Sequence, residues 1–210
     1  MLRISTTTLE SFRLFMQPDQ DWMSEDDMIA TIKGEFTPTP AIKLGLAYGR
    51  ILEAPDRFKV KGGYQCGDYG FAESTIAPAL ALIDRRGVFE AKATKEYGDC
   101  VVVAKADHLL GSHLTEFKTT CSSFAIDKYL ESCQWRFMVD LFEPSIVTYH
   151  VFCLDDHENG VAELRSIESF NVYPYSALHA DCADLVREFR SYVVAKGLDG
   201  LLRARQEAAA

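Results

Sequence analysis

The chain has 210 residues, of which 48% are apolar and 25% charged, with 31 acidic against 22 basic side chains and a formal charge of −9. That length suits one domain with a substantial core, and the composition is that of an ordinary globular chain. No apolar run nears the roughly 20 residues of a membrane span, the start lacks the apolar stretch of a signal peptide, and the acidity excludes a broadly cationic face for nucleic acid. Any nucleic-acid partner then needs a local basic patch or a metal. The six cysteines (Cys66, Cys100, Cys121, Cys133, Cys153, Cys182) are widely spaced without a C-x-x-C pair, which fits reduced thiols in a cytoplasmic setting rather than a disulfide frame or zinc site.

Residues 4–16 read as a capped, short amphipathic helix burying Leu9, Phe12, Leu14 and Phe15, and 17–35 as an acidic segment in which Ser24 starts a helix near Met28. Thr39-Pro40 signals a helix that runs to about Ala54 and stops at Pro55. Residues 58–69, with Gly62-Gly63 and Gly67, read as a loop, and Ser74 as the cap of a helix reaching about Arg85. The period then changes to that of strands: 88–95 and 100–107 joined by a Gly98-Asp99 turn, then 114–119. A long helix over 124–142 follows, capped by Ser122 or Ser123 and ended by Pro144. Strands over 145–154 and 161–172 and a final helix over 178–196 complete the order, with 207–210 expected to fray. The pattern predicts a single α/β domain with a mixed sheet flanked by helices.

Chemistry concentrates in 107–118. Gly111-Ser112 is a two-residue turn that sets Leu110 opposite His113 and therefore Asp107 opposite Glu116. A second tight turn at Gly98-Asp99 sets Glu90 opposite Asp107. Glu116 and Lys118, two apart on a strand, share a face. Like charges directly opposed destabilise a sheet, so two acids beside a lysine point to a bound divalent cation. Magnesium, with oxygen ligands and retained waters, suits such a pair, and the Phe117 carbonyl offers another oxygen. Lys118 would orient a water aimed at phosphorus. His108 and His113 are expected to face each other on the opposite side of the hairpin. Gln134 places an amide on the stripe of Leu130, Phe137, Met138 and Leu141, where it needs a partner. Lys59 and Lys61 beside Gly62-Gly63 read as a basic loop.

Asp107, then Glu116-Phe117-Lys118-Thr119-Thr120, then Gln134-Trp135-Arg136-Phe137, resembles the PD-(D/E)XK nuclease superfamily and within it the RecB-like, phage-type exonuclease branch. The Ser5-to-Leu9 opening and the helix LGLAYGRILE over 44–53 are similar to that branch's other motifs, so the likeness extends over residues 4–155. It implies a restriction-endonuclease-like core over about 38–175, an N-terminal helical segment over 4–35 and a C-terminal helix over about 178–198. It further implies metal ligation by Asp107 and Glu116, helped by Glu53 and more weakly by Glu90. Lys118 would be the catalytic lysine, and Gln134, Arg136 and Thr119 would contact DNA. The implied activity is magnesium-dependent (or manganese-dependent) exonuclease action on DNA in phage-type recombination or repair, in the host-cell cytoplasm if phage-encoded. A single-strand annealing or recombination protein and self-assembly are the implied partners. The chain departs from the branch at Gly49, where a histidine often stands, and at Ala104 and Ala106. With only Cys153 and Cys182 in the last third, no iron–sulfur cluster is expected. The alternatives are a catalytically silent nuclease fold that binds nucleic acid or protein, and an unrelated α/β metalloenzyme.

Overall fold

The computed structural model describes residues 1–18, 23–35, 37–155, 161–200 and 202. It opens with β1 (Leu2–Ser5), α1 (Thr6–Phe15), α2 (Glu25–Lys33), α3 (Pro40–Glu53) and the single turn α4 (Pro55–Phe58). Next come β2 (Lys59–Val60), β3 (Gly63–Cys66), β4 (Tyr69–Ala72) and α5 (Glu73–Leu80). Then follow β5 (Val88–Tyr97), β6 (Cys100–Leu110), β7 (His113–Thr120), α6 (Ile126–Leu130), α7 (Gln134–Phe142), β8 (Ile146–Asp155), β9 (Val161–Val172) and α8 (Leu178–Ala195). Residues 207–210 lie outside the described residues.

The two tight turns pair Tyr97 with Cys100 and Leu110 with His113, the register the sequence predicts. Gly111 takes φ +60°, a backbone shape that favours glycine, so the turn closes without strain. β7 and β8 run parallel, β8 and β9 antiparallel, and the sheet is mixed. Helices cover both faces. Along β8, Val147, Tyr149 and Val151 enter one core with Leu9, Phe12, Phe137 and Phe189, while Phe152 and Leu154 enter a second with Tyr48, Ile51 and Ile76. The period-2 alternation of strand side chains produces this split.

Four expectations are corrected. The chain begins with a strand: β1 lies parallel to β6, Leu2 beside Cys100 through Ser5 beside Val103, and α1 starts only at Thr6. The expected loop over 58–69 contains β2 and β3, which continue through β4 into the sheet by a parallel contact with β9. Helix α5 is shorter than expected and has no side-chain cap from Ser74, its N-cap being Ala72. The long helix expected over 124–142 is broken into α6 and α7, because Glu10 of α1 accepts the Cys133 N–H (2.7 Å) and the Ser132 hydroxyl accepts the Gln134 N–H (3.1 Å). These bonds satisfy donors at a fresh helix start, and the chain restarts at Gln134. No helix among the described residues is long and apolar enough to cross a membrane.

Candidate active site

Asp107 is the point at which β6 loses both neighbours. On one side the ladder skips from Phe89–His108 to Ala91–Ala106, because Glu90, opposite Asp107, sits at φ +54°. On the other side β7 pairs only with residues 108–110 and then splays away, and β1 takes its place beside 100–103. Backbone donors freed by the splay are taken up by carboxylates. The Asp107 N–H donates to Glu116 Oε1 (3.2 Å), and the Phe117 N–H donates to Asp107 Oδ2 (2.8 Å). The two acids are thus hooked to each other's strand. Lys118 Nζ donates to Glu116 Oε2 (3.0 Å) and to Gln134 Oε1 (3.4 Å), the latter carried in by the start of α7.

The electrostatics follow from this crowding. Glu116 is 1% exposed, and burial, then the Asp107 charge, pushes its carboxyl up to about 8 against the pull of Lys118. Burial likewise raises Asp107, with Glu90 adding to the rise and Lys118 and the Phe117 N–H opposing it. Burial disfavours the Lys118 charge, yet Glu116 and Asp107 outweigh it and hold the ammonium above the ordinary lysine range. Glu53, across the cleft on α3, is raised by burial and then by the charge of Glu90 and a hydrogen bond shared with it. Three carboxyl groups therefore stand near one another with their charges disfavoured, the setting a divalent cation relieves. Among the described residues no group of three or more Asp, Glu, His or Cys side chains is placed to hold a metal ion. The donors amount to Asp107 and Glu116, with Glu53 opposite. That set suits magnesium, which is commonly held by one or two carboxylates plus waters and substrate phosphate.

Asp107, Lys118, Gln134 and Glu53 open into a cleft of about 1130 Å³ between α3 and the β6–β7 edge, and Glu116 lines a smaller pocket that shares Asp107, Lys118 and Gln134 with it. Glu53, Glu90, Phe117, Thr119 and Gln134 line the cleft with Asp107 and Lys118. α3 can lie this close because Gly45 has no side chain: a Cβ there would fall 2.5 Å from Thr119 Oγ1. Glu90 is engaged by Lys105 in an ion pair. Arg136 is not among the cleft residues; its guanidinium lies over the Trp135 ring, 5.6 Å from the centroid. His108 pairs with Thr115, and His113 with Leu110, so the two histidines do not face each other. His108 bonds the Asp84 carbonyl (2.8 Å) and His113 the Thr148 hydroxyl (2.7 Å). In the expected basic loop, Lys59 lies 3.9 Å from Glu73. Sequence reasoning passed over Lys105, Arg50 and Lys128, which line the cleft together with Lys118. Lys105 left a signal, a lone charge two residues before Asp107 in the apolar run Val101-Val102-Val103-Ala104.

No family model matches the chain, and no curated protein matches its sequence. Solved structures do match. The alkaline exonuclease LHK-Exo of Laribacter hongkongensis superposes with a TM-score of 0.50 at 11% identity, over 99% of this chain and 93% of that one. The chain shares the overall fold of that structure. A second structure, SSO0001, gives a TM-score of 0.53 at 13% identity, over 90% of this chain and 75% of its own. At such identities the likeness is one of fold, and it is the α/β fold that the order of PD-(D/E)XK motifs implied: a central mixed sheet flanked by helices. Within this fold the splayed β6–β7 edge and the start of α7 supply the side chains described above.

Proposed function

We propose that the chain is a magnesium-dependent deoxyribonuclease that degrades DNA from an end, with manganese able to substitute, in recombination, repair or DNA processing of the phage type. The observation that carries this reading is the convergence of Asp107, Glu116, Lys118 and Gln134 where the sheet's ladders lapse, with Asp107, Lys118 and Gln134 lining a cleft. Asp107 and Glu116 would hold the ion, with Glu53 and the Phe117 carbonyl as further oxygens. When bound, the ion would stabilise charge developing on the phosphate. Lys118, kept protonated by its two acids, acts as a hydrogen-bond donor that orients the attacking water rather than as a base. Gln134 holds the ammonium in place. The exonuclease named among the similar folds supports end-directed attack. Self-assembly and a recombination-protein partner rest on the motif resemblance alone.

A catalytically silent relative is favoured by one observation. Gly49 stands where the resembled branch often carries histidine, and a Cβ at that position would meet no atom within 4 Å, so the place of the missing ring is open space. Degradation of single- and double-stranded DNA with Mg²⁺ or Mn²⁺ decides between the readings. Lys118→Ala and Asp107→Ala are each expected to lower the rate by about 10²-fold or more. Cleavage that survives both substitutions removes the proposed site. DNA binding without metal-dependent cleavage favours the silent reading, and metal binding without affinity for DNA favours an unrelated metalloenzyme.

A further inference from the structure

Tyr149 is 1% exposed, its ring stacked on Phe170 (5.1 Å between centroids, 3° between planes) and tilted against Tyr129 at 6.1 Å. Its hydroxyl is enclosed and has no hydrogen-bond partner among the described residues. A buried, unpaired hydroxyl destabilises a fold, and phenylalanine would fill the same ring space without that penalty. The ladder of β7 and β8 pairs Glu116 with Tyr149 and Lys118 with Val151. Glu116, Lys118 and Tyr149 therefore rise from one face, with the tyrosine beside the acid and diagonal to the lysine, within reach of long side chains. The charges of Lys118, Glu116, Asp107 and Glu10 all bear on the hydroxyl. Glu10 is already occupied by Arg13 (2.8 Å) and the Cys133 N–H (2.7 Å). The Lys118 ammonium has three N–H donors, and its acceptors are Glu116 and Gln134. Once the Glu116 carboxylate turns to a cation, Gln134 is the acceptor that remains among the described residues.

We propose that Tyr149 is a positioning residue whose hydroxyl oxygen accepts a hydrogen bond from the Lys118 ammonium when Glu116 engages the divalent ion, fixing the lysine for its work on the attacking water. The inference rests on the nuclease reading of the site. Its test is Tyr149→Phe in the intact chain, measured by thermal unfolding with and without saturating Mn²⁺ and by steady-state DNA cleavage. The expected result has three parts: a metal-free Tm equal to or above wild type, a smaller Mn²⁺-induced rise in Tm, and a kcat lowered roughly tenfold with KM little changed. An unchanged Mn²⁺ increment with unchanged kcat overturns the proposal, as does an equal fall in Tm in both states, which marks a purely structural tyrosine. Wild-type protein that gains Tm with Mn²⁺ but cleaves no DNA defeats the nuclease reading, and the Mn²⁺ increment of the variant still decides the role of Tyr149. Wild-type protein with no Mn²⁺ increment defeats both.

Discussion

Glu116 carries the clearest pH signature. Its carboxyl rises from 4.5 to about 8 in the fold, through burial and then the neighbouring Asp107 charge. The folded protein thus holds this proton more tightly than the unfolded chain. Its contribution to metal-free stability is full below about pH 4.5 and is lost as pH climbs toward 8. Against Glu116→Gln, the wild-type Tm is expected to fall between about pH 5 and pH 8, and Mg²⁺ should abolish that fall. His150, lowered by burial, acts in the opposite sense but is common to both proteins and cancels. Parallel Tm curves for the two proteins would show that the titrating group lies elsewhere. Asp107, Glu116 and Lys118 were legible in the sequence because two-residue turns fix register and register fixes which side chains meet. Tyr149 was not, since a tyrosine in an apolar strand looks like any core aromatic until its hydroxyl is seen to lack a partner.

At the scale of elements, the break between α6 and α7 places Gln134. Apolar periodicity runs on through 124–142, and Ser132, whose hydroxyl accepts the Gln134 N–H, is only a weak local mark of the interruption. Its other cause is Glu10, distant in sequence, whose carboxylate accepts the Cys133 N–H and pairs with Arg13. Although burial works against the charge, the Arg13 guanidinium and the Cys133 donor hold its carboxyl below the usual value. Glu10→Ala leaves that donor and guanidinium unpaired, which should cost about 1–3 kcal/mol in denaturant unfolding. It should also lower cleavage, because the start of α7 loosens and Gln134 loses its aim at Lys118. Glu10→Gln, which keeps an acceptor oxygen, should do less on both counts. Loss of stability with full cleavage would separate α7's start from the site. The β2–β4 ribbon was hidden for a related reason: Gly62, Gly63, Gly67 and Gly70 give it the composition of a loop, while its pairing and its docking of Gly70 beside Val161 are backbone contacts.

For the whole molecule, a charge of −9 must be reconciled with the DNA substrate proposed above. Arg50, Lys105 and Lys128 line the cleft beside the acids. Lys105 is taken up by Glu90, which leaves Arg50 and Lys128 as the phosphate-facing candidates. Arg50→Ala and Lys128→Ala are each expected to weaken DNA binding evenly across sequences and to reduce the salt slope of log affinity by about 1. Fluorescence anisotropy across a sodium chloride series measures both. Unchanged slopes would place the DNA path elsewhere on the surface.

The amino-acid sequence by itself determined what is local: helix starts at Ser24 and Thr39, two tight turns, strand alternation, and therefore the register that brings Asp107 to Glu116 and Lys118 to the same face. Only the tertiary structure decided the splay of β6 from β7, the broken helix that delivers Gln134, the retreat of Arg136 onto Trp135, and the solitary hydroxyl of Tyr149. Those depend on which distant group reaches a backbone donor or fills a space first, and periodicity along one chain records no such competition.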